Sequence, residues 1–209
     1  MLPTGCIISD GPHPNASSAG VSLRGNSSNA SGLPRASAMI LSRTRLSTGT
    51  LITDNLIPGQ RLLLLSTGTG LAPFASLIKD PDVYERFETI VLVHGCRQVS
   101  ELAYGEELVA RLRDDELFGP LLTEKLKYYP TVTREPFRNR GRITDLITSE
   151  QLFGDLDLSP LDIETDRIMM CGSPGMLEEL RQTFEARGFL EGSHSEPGHF
   201  VIEKAFVER

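Results

Sequence analysis

Tryptophan is absent from this 209-residue chain and aromatic residues of all kinds make up only 6% of it, so any core has to be built mainly from aliphatic side chains. Cysteine is scarce: Cys6, Cys96 and Cys171 are odd in number and far apart. That fits reduced thiols better than a disulfide framework or a zinc site. Basic charge is not in excess, with 21 Lys and Arg against 28 Asp and Glu and a net charge of -7. Nucleic acid is therefore not an expected partner, because phosphate backbones are held by clustered cations. Apolar runs are a few residues long, as at 62–65, far below the roughly 20 residues that span a bilayer, so no membrane helix is expected. His13, His94, His194 and His199 are scattered without metal-ligand spacing and read as structural or surface groups. The expectation is a soluble, cytoplasmic protein of one domain plus an additional segment; nothing in the sequence speaks to oligomeric state.

That segment is residues 1–39, where Ser, Gly, Ala, Asn and Pro prevail, aromatics are missing and the only charges are Asp10, Arg24 and Arg35. Such a composition buries too little apolar surface to offset the entropy of ordering, so the stretch is expected to be disordered. It is Ser-rich and poor in acids, as transit peptides are, but has no Arg-rich amphipathic stretch. Asn15, Asn26 and Asn29 begin N-x-S triplets, yet no charged and apolar leader directs the chain to where glycosylation happens. A linker or remnant without a fold of its own is the plain reading.

From Ile40 onward the chain alternates between two patterns. Runs rich in Leu, Ile and Val at 61–66, 89–94, 126–133, 167–171 and 199–202 are continuous rather than alternating, as in strands covered on both faces. Helical patterns lie between them at 73–79, 99–112, 143–150 and 174–187. The last has Pro174 in its first turn, Met176, Leu177, Leu180 and Phe184 on one side and Gly188 as a stop. This predicts an α/β fold with a doubly wound, five-stranded parallel sheet, and ligands at the carboxyl ends of its strands.

The first strand runs into Thr67, Gly68, Thr69, Gly70, Leu71, Ala72 and Pro73. Two glycines permit a tight turn and close approach of a ligand, Pro73 suits a first helical turn, and the free amides at a helix start attract phosphate. The loop is not a P-loop, because no Gly-Lys-Ser/Thr follows, and Pro73 stands where the usual dinucleotide fingerprint has its third glycine. The glycines alone are equally compatible with an ordinary strand-to-helix turn.

Five motifs in order resemble the NADP-binding half of bacterial ferredoxin-NADP reductases. They are the 66–74 loop, Val93-His94-Gly95-Cys96-Arg97, Val132-Thr133-Arg134-Glu135, Gly141-Arg142-Ile143 and Met170-Cys171-Gly172-Ser173-Pro174. The stretch from Glu196 to Arg209 is similar to the end of that family's chains. The resemblance implies that Thr67 to Pro73 cradle the pyrophosphate of NADP(H), that Arg134 and Arg142 clamp its 2′-phosphate, and that Arg97 contributes. A planar guanidinium fork matches phosphate, although Arg134 and Arg142 by themselves also read as solubilising charges near Arg138 and Arg140. It further implies that Cys171 and Ser173, with Gly172, Pro174 and Met176, lie at the nicotinamide. Cys171 would orient the ring rather than act as a nucleophile, since no base at suitable spacing activates it. Thr48, Gly49 and Thr50, where Ser47 replaces the family's usual Pro, and the terminal Ala205, Phe206 and Val207 are similar to segments that contact FAD.

The implied reaction is hydride exchange between NADP(H) and FAD with single electrons passing to ferredoxin or flavodoxin. The family holds FAD in a preceding β-barrel with an Arg-x-Tyr-Ser motif, which this chain lacks: Tyr84, Tyr104, Tyr128 and Tyr129 all fall in the nucleotide half. The expected organisation is a disordered 1–39, a barrel remnant at 40–58 and an NADP-binding domain at 59–209. Besides the reductase, two readings stay open: a non-catalytic NADP-binding module, and an NADH-using reductase of the same superfamily.

Overall fold

The computed structural model describes residues 52–116 and 118–203. Thr48 to Thr50, Ala205 to Val207 and the segment 1–39 lie outside the described residues. Five strands, β1 (Arg61–Thr67), β2 (Thr89–Cys96), β3 (Leu126–Val132), β4 (Asp166–Cys171) and β5 (Phe200–Ile202), form one parallel sheet in the order β3-β2-β1-β4-β5. Each falls on one of the predicted aliphatic runs, because each strand is buried on both faces and carries no polar alternation.

The two faces are covered by different helices. On one side, α1 (Leu71–Leu77), α2 (Pro81–Arg86), α3 (Ala103–Arg113) and α4 (Gly119–Lys125) pack Phe74, Ile78, Tyr84 and Val109 onto Leu62, Leu64, Ile90 and Met169. On the other, α5 (Ile143–Thr148), α6 (Gln151–Asp155) and α7 (Pro174–Ala186) set Ile147, Phe153, Leu180 and Phe184 against Leu63, Val91, Ile168 and Phe200. The period-2 alternation of Leu62 to Leu65 thus feeds two cores at once. The helix beginning that was read at residue 73 lies at Leu71, led in by a 3₁₀ turn at Gly68–Gly70, so Pro73 occupies the first turn. Helices α2, α4 and α6 were not anticipated. They are five to seven residues long, too short to show a helical period. No helix among the described residues is long and apolar enough to cross a membrane.

The amino ends of the central strands are tied by charge. Arg61 and Asp166, opposite each other in register, make a bidentate pair at 2.7 and 2.5 Å with Asp166 fully buried. Arg61 also donates to the carbonyls of Ser159 and Pro160, and Asp166 accepts from the Asp162 amide at 2.8 Å. Arg167 donates to the carbonyls of Pro58, Ile163 and Glu164. This anchors residues 57–58, which enter β1, to the loop before β4. Leu56 is buried and bridges Gly198, so the described end of the segment 40–58 is packed beside the residues that lead into β5.

Candidate functional site

The connections β1 to β2 to β3 proceed in one direction across the sheet, and the next strand, β4, returns to the far side of β1. The loops leaving β1 and β4 therefore diverge to opposite faces, and the crevice between their carboxyl ends is where an open α/β sheet binds ligands. A cleft of about 1500 Å³ opens there. It exceeds the roughly 300–1,000 Å³ of a pocket for a drug-sized molecule and suits an extended dinucleotide.

One wall is the loop after β1. Thr67 to Ala72 line the cleft; Pro73 is not among the lining residues. Gly68 has φ +54° with open space where a Cβ would project, so its backbone faces the cleft unobstructed. Gly70 is required for the opposite reason. A Cβ there would lie 2.3 Å from the carbonyl oxygen of Cys171, because the loop after β1 touches the end of β4.

The loop after β4 forms the adjacent wall. The Thr67 hydroxyl accepts from the Ser173 amide at 2.9 Å and ties the two diverging loops together. Ser173 caps α7, its hydroxyl accepting from the Met176 amide, with Pro174 next in the first turn. Cys171, Gly172, Ser173, Pro174 and Met176 all line the cleft. Cys171 is 1% exposed, and its thiol is pushed up to about 11, first by burial and then by the Glu203 carboxylate. It is a neutral thiol at physiological pH.

At the far end stand the cations. Arg97, after β2, and Arg142, before α5, line the cleft and are exposed. Each has an acidic companion: Arg97 meets Glu101 at 3.5 Å, and Arg142 meets Glu179 of α7 at 2.6 Å. Arg134 is exposed but is not among the lining residues; its neighbour Thr133 is, and the Arg134 amide donates to the carbonyl of Arg97.

Several lining residues had not been singled out for the cleft. Tyr104 stands 56% exposed at its edge, and Arg181, paired with Glu178 and Glu185, contributes from α7. His94 is 2% exposed and lies beneath the Gly68 carbonyl at 3.2 Å, with its other nitrogen 3.3 Å from the Tyr128 hydroxyl. Its pKa is lowered by burial, against smaller opposing effects of Gly68, Glu101 and Glu106, so the ring is neutral near pH 7. Its place at the carboxyl end of a parallel strand was the available signal. Tyr104, on a helix flank, offered none. Cys96, 3.3 Å from His94, is likewise pushed up to about 11, chiefly by burial.

Residues 64–182 match the family described as oxidoreductase NAD-binding domain. The chain is 54% identical over 167 residues to a ferredoxin-NADP reductase of Azotobacter vinelandii, covering 79% of this chain and 65% of that protein. It is 52% identical over 159 residues to a flavodoxin/ferredoxin-NADP reductase of Rhodobacter capsulatus, covering 76% of this chain and 59% of the relative. Among solved structures, a ferredoxin NADP+ reductase from Neisseria gonorrhoeae with bound FAD and NADP superimposes with a TM-score of 0.66 at 28% identity, over 76% of this chain and 61% of that one. The chain thus spans about three-fifths of the length of the relatives it matches. It belongs to the oxidoreductase NAD-binding domain family, with ferredoxin-NADP reductases as its relatives.

Proposed function

We propose that this chain binds NADP(H) in the cleft between β1 and β4 and serves as the nucleotide half of a ferredoxin- or flavodoxin-NADP reductase. The observation that carries the reading is the layout of that one cleft: a glycine loop at a helix start, arginines at one end and a capped, thiol-bearing strand end beside the loop. The residues fit the group. Thr67 to Ala72 provide backbone polar groups against a pyrophosphate, with Pro73 shaping the helix turn behind them. Arg97 and Arg142 supply guanidinium forks for a 2′-phosphate, and we assign Arg134, beside the lining residue Thr133, to the same phosphate. Cys171, held neutral and small, with Gly172, Ser173, Pro174 and Met176, orients the nicotinamide. In this reading Thr48, Gly49, Thr50, Ala205, Phe206 and Val207 contribute to holding FAD.

Bound NADP(H) and FAD would supply the hydride and single-electron chemistry of a reductase whose partner is ferredoxin or flavodoxin. The protein's part is orientation: Ser173 fixes the start of α7, Thr67 locks the two loops, and the buried thiol excludes water without offering a competing nucleophile. Two buried free cysteines, Cys96 and Cys171, accord with a reducing compartment, and we assign the cytoplasm.

The test is to incubate the purified chain with excess FAD, desalt it, and add NADPH without oxygen. Bleaching of a retained flavin band supports the reductase. NADPH binding by a colourless protein would leave the non-catalytic nucleotide module, and a chain that binds neither NADPH nor NADH refutes the cleft assignment.

A further inference from the structure

The loop after β1 is held from below by side chains of β2 and β3. The carbonyl of Gly68 accepts from the Leu71 amide and, at 3.2 Å, faces Nε2 of His94. A carbonyl oxygen cannot donate, so this contact requires the proton on Nε2. Nδ1 is then an acceptor, and the Tyr128 hydroxyl, 3.3 Å away, is the donor that meets it. Both ring nitrogens are thereby satisfied in one tautomer. Burial keeps the ring neutral and so preserves that arrangement. The groups around it are Cys96, whose sulfur lies 3.3 Å from Nε2 and whose thiol donates toward the Glu101 carbonyl, with the Glu101 and Glu106 carboxylates farther out.

The surroundings are built for this ring. In α3, a Cβ at Gly105 would stand 2.6 Å from the Tyr128 hydroxyl and 2.7 Å from His94 Nδ1. The helix backbone closes directly over the pair, at the cost of a glycine inside a helix. Strands β2 and β3 and helix α3 thus converge on a hydrogen-bond chain that ends at one carbonyl of the loop. In a trans peptide the C=O and the following N–H point in opposite directions. Holding the Gly68 carbonyl down on the buried His94 therefore turns the Thr69 N–H away from the ring, to the exposed side of the loop.

We propose that His94, oriented by Tyr128, is a positioning residue that fixes the Gly68–Thr69 peptide so that its N–H faces the pyrophosphate of a bound dinucleotide. The inference rests on the reading of the cleft as an NADP(H) site. It concerns the pyrophosphate, which NADP and NAD share, and so acts on affinity for both while leaving discrimination between them to the arginines.

Calorimetric titrations of the whole chain with NADP+, NAD+ and adenosine 2′-phosphate test it. The last probe carries the 2′-phosphate but no pyrophosphate. His94→Leu is expected to weaken NADP+ and NAD+ by a common factor of about three to ten, the size of one lost hydrogen bond, and to leave adenosine 2′-phosphate unchanged. His94→Gln, whose side-chain amide can donate from nearly the position of Nε2, restores most of the loss. Tyr128→Phe, which leaves the imidazole in place, shifts both dinucleotides in the same direction by about twofold. If His94→Leu fails to fold, the Gln and Phe variants carry the test. Dinucleotide affinities that are unchanged in every variant overturn the proposal, and so does a parallel loss of adenosine 2′-phosphate, which would mark a merely structural ring. A native chain that binds no dinucleotide refutes the cleft reading instead.

Discussion

Replacing Arg142 by Ala separates the 2′-phosphate from the rest of the nucleotide. In the free protein this guanidinium is engaged with Glu179 at 2.6 and 3.3 Å, with the two side chains 55% and 43% exposed. A charge-assisted hydrogen bond to phosphate contributes about 1.5–3 kcal/mol. Breaking an exposed ion pair to make it costs about 0–1 kcal/mol. The difference, about 0.5–3 kcal/mol, is a loss of about twofold to about 150-fold in NADPH affinity, with NADH unaffected. Glu179→Gln is the complement: it releases Arg142 and removes a like charge from the phosphate, so NADPH tightens by up to about fivefold and NADH again does not move. In the Arg142→Ala background the Glu179 effect shrinks, because there is no pair left to release. Fluorescence titrations of the four proteins with each nucleotide read out the cycle. An equal loss of NADPH and NADH affinity in Arg142→Ala would refute the assignment of this end of the cleft.

Asp166→Ala strands the buried Arg61 and is expected to cost about 3–5 kcal/mol, read as a lower urea midpoint with little effect on nucleotide affinity once folded. Gly70→Ala pushes a methyl into the Cys171 carbonyl, costs about 1–3 kcal/mol and weakens NADPH and NADH alike, whereas Gly175→Ala, with nothing within 4 Å, leaves stability the same or slightly higher. Cys171 and Cys96 should resist alkylation near neutral pH, their reaction rates rising only toward pH 11. The same shifts have a sign for stability. The unfolded thiols deprotonate near 9 and the folded ones near 11, so the stabilisation is complete below pH 9 and disappears as pH rises from 9 to 11. A flat unfolding midpoint across that window in the native chain, identical to that of a Cys96→Ala/Cys171→Ala variant, would contradict it.

The central strands were legible because burial on both faces leaves a continuous aliphatic run, which no helix among the described residues produces. The glycine loop and the Cys171 turn were legible because each is local: a few adjacent residues carry the whole geometry. Helix α2 had a signal that was passed over, since Asp80 caps it and Pro81 opens it, but six residues contain too little period to confirm a helix. The pairings at the site were not legible at all. Arg142 and Glu179 are 37 positions apart, and His94 and Tyr128 are 34 apart. The pairing of β2 with β3 and the packing of α7 beside α5 bring these residues together. The isolated histidine was read correctly as a satisfied group, yet what satisfies it, a loop carbonyl at the cleft, is a tertiary fact.

The two edges of the sheet divide the work. At the amino ends, Arg61, Asp166 and Arg167 are buried charges compensated by one another and by backbone carbonyls, an arrangement that holds β1 and β4 in register. At the carboxyl ends the loops leaving the same two strands diverge, and the polar groups there, the Gly68 carbonyl and the Thr67 and Ser173 hydroxyls, hold loops rather than strands. Under the proposed function the cleft accepts an anion, and its guanidinium groups have to leave their carboxylate partners at little cost. The pairing of Arg97 with Glu101 and of Arg142 with Glu179 meets that requirement with exposed, weak bonds. Buried, strong pairs stand at one edge of the parallel sheet and exposed, exchangeable pairs at the other, which under the proposed function lets one edge stay closed while the other exchanges a carboxylate for a phosphate.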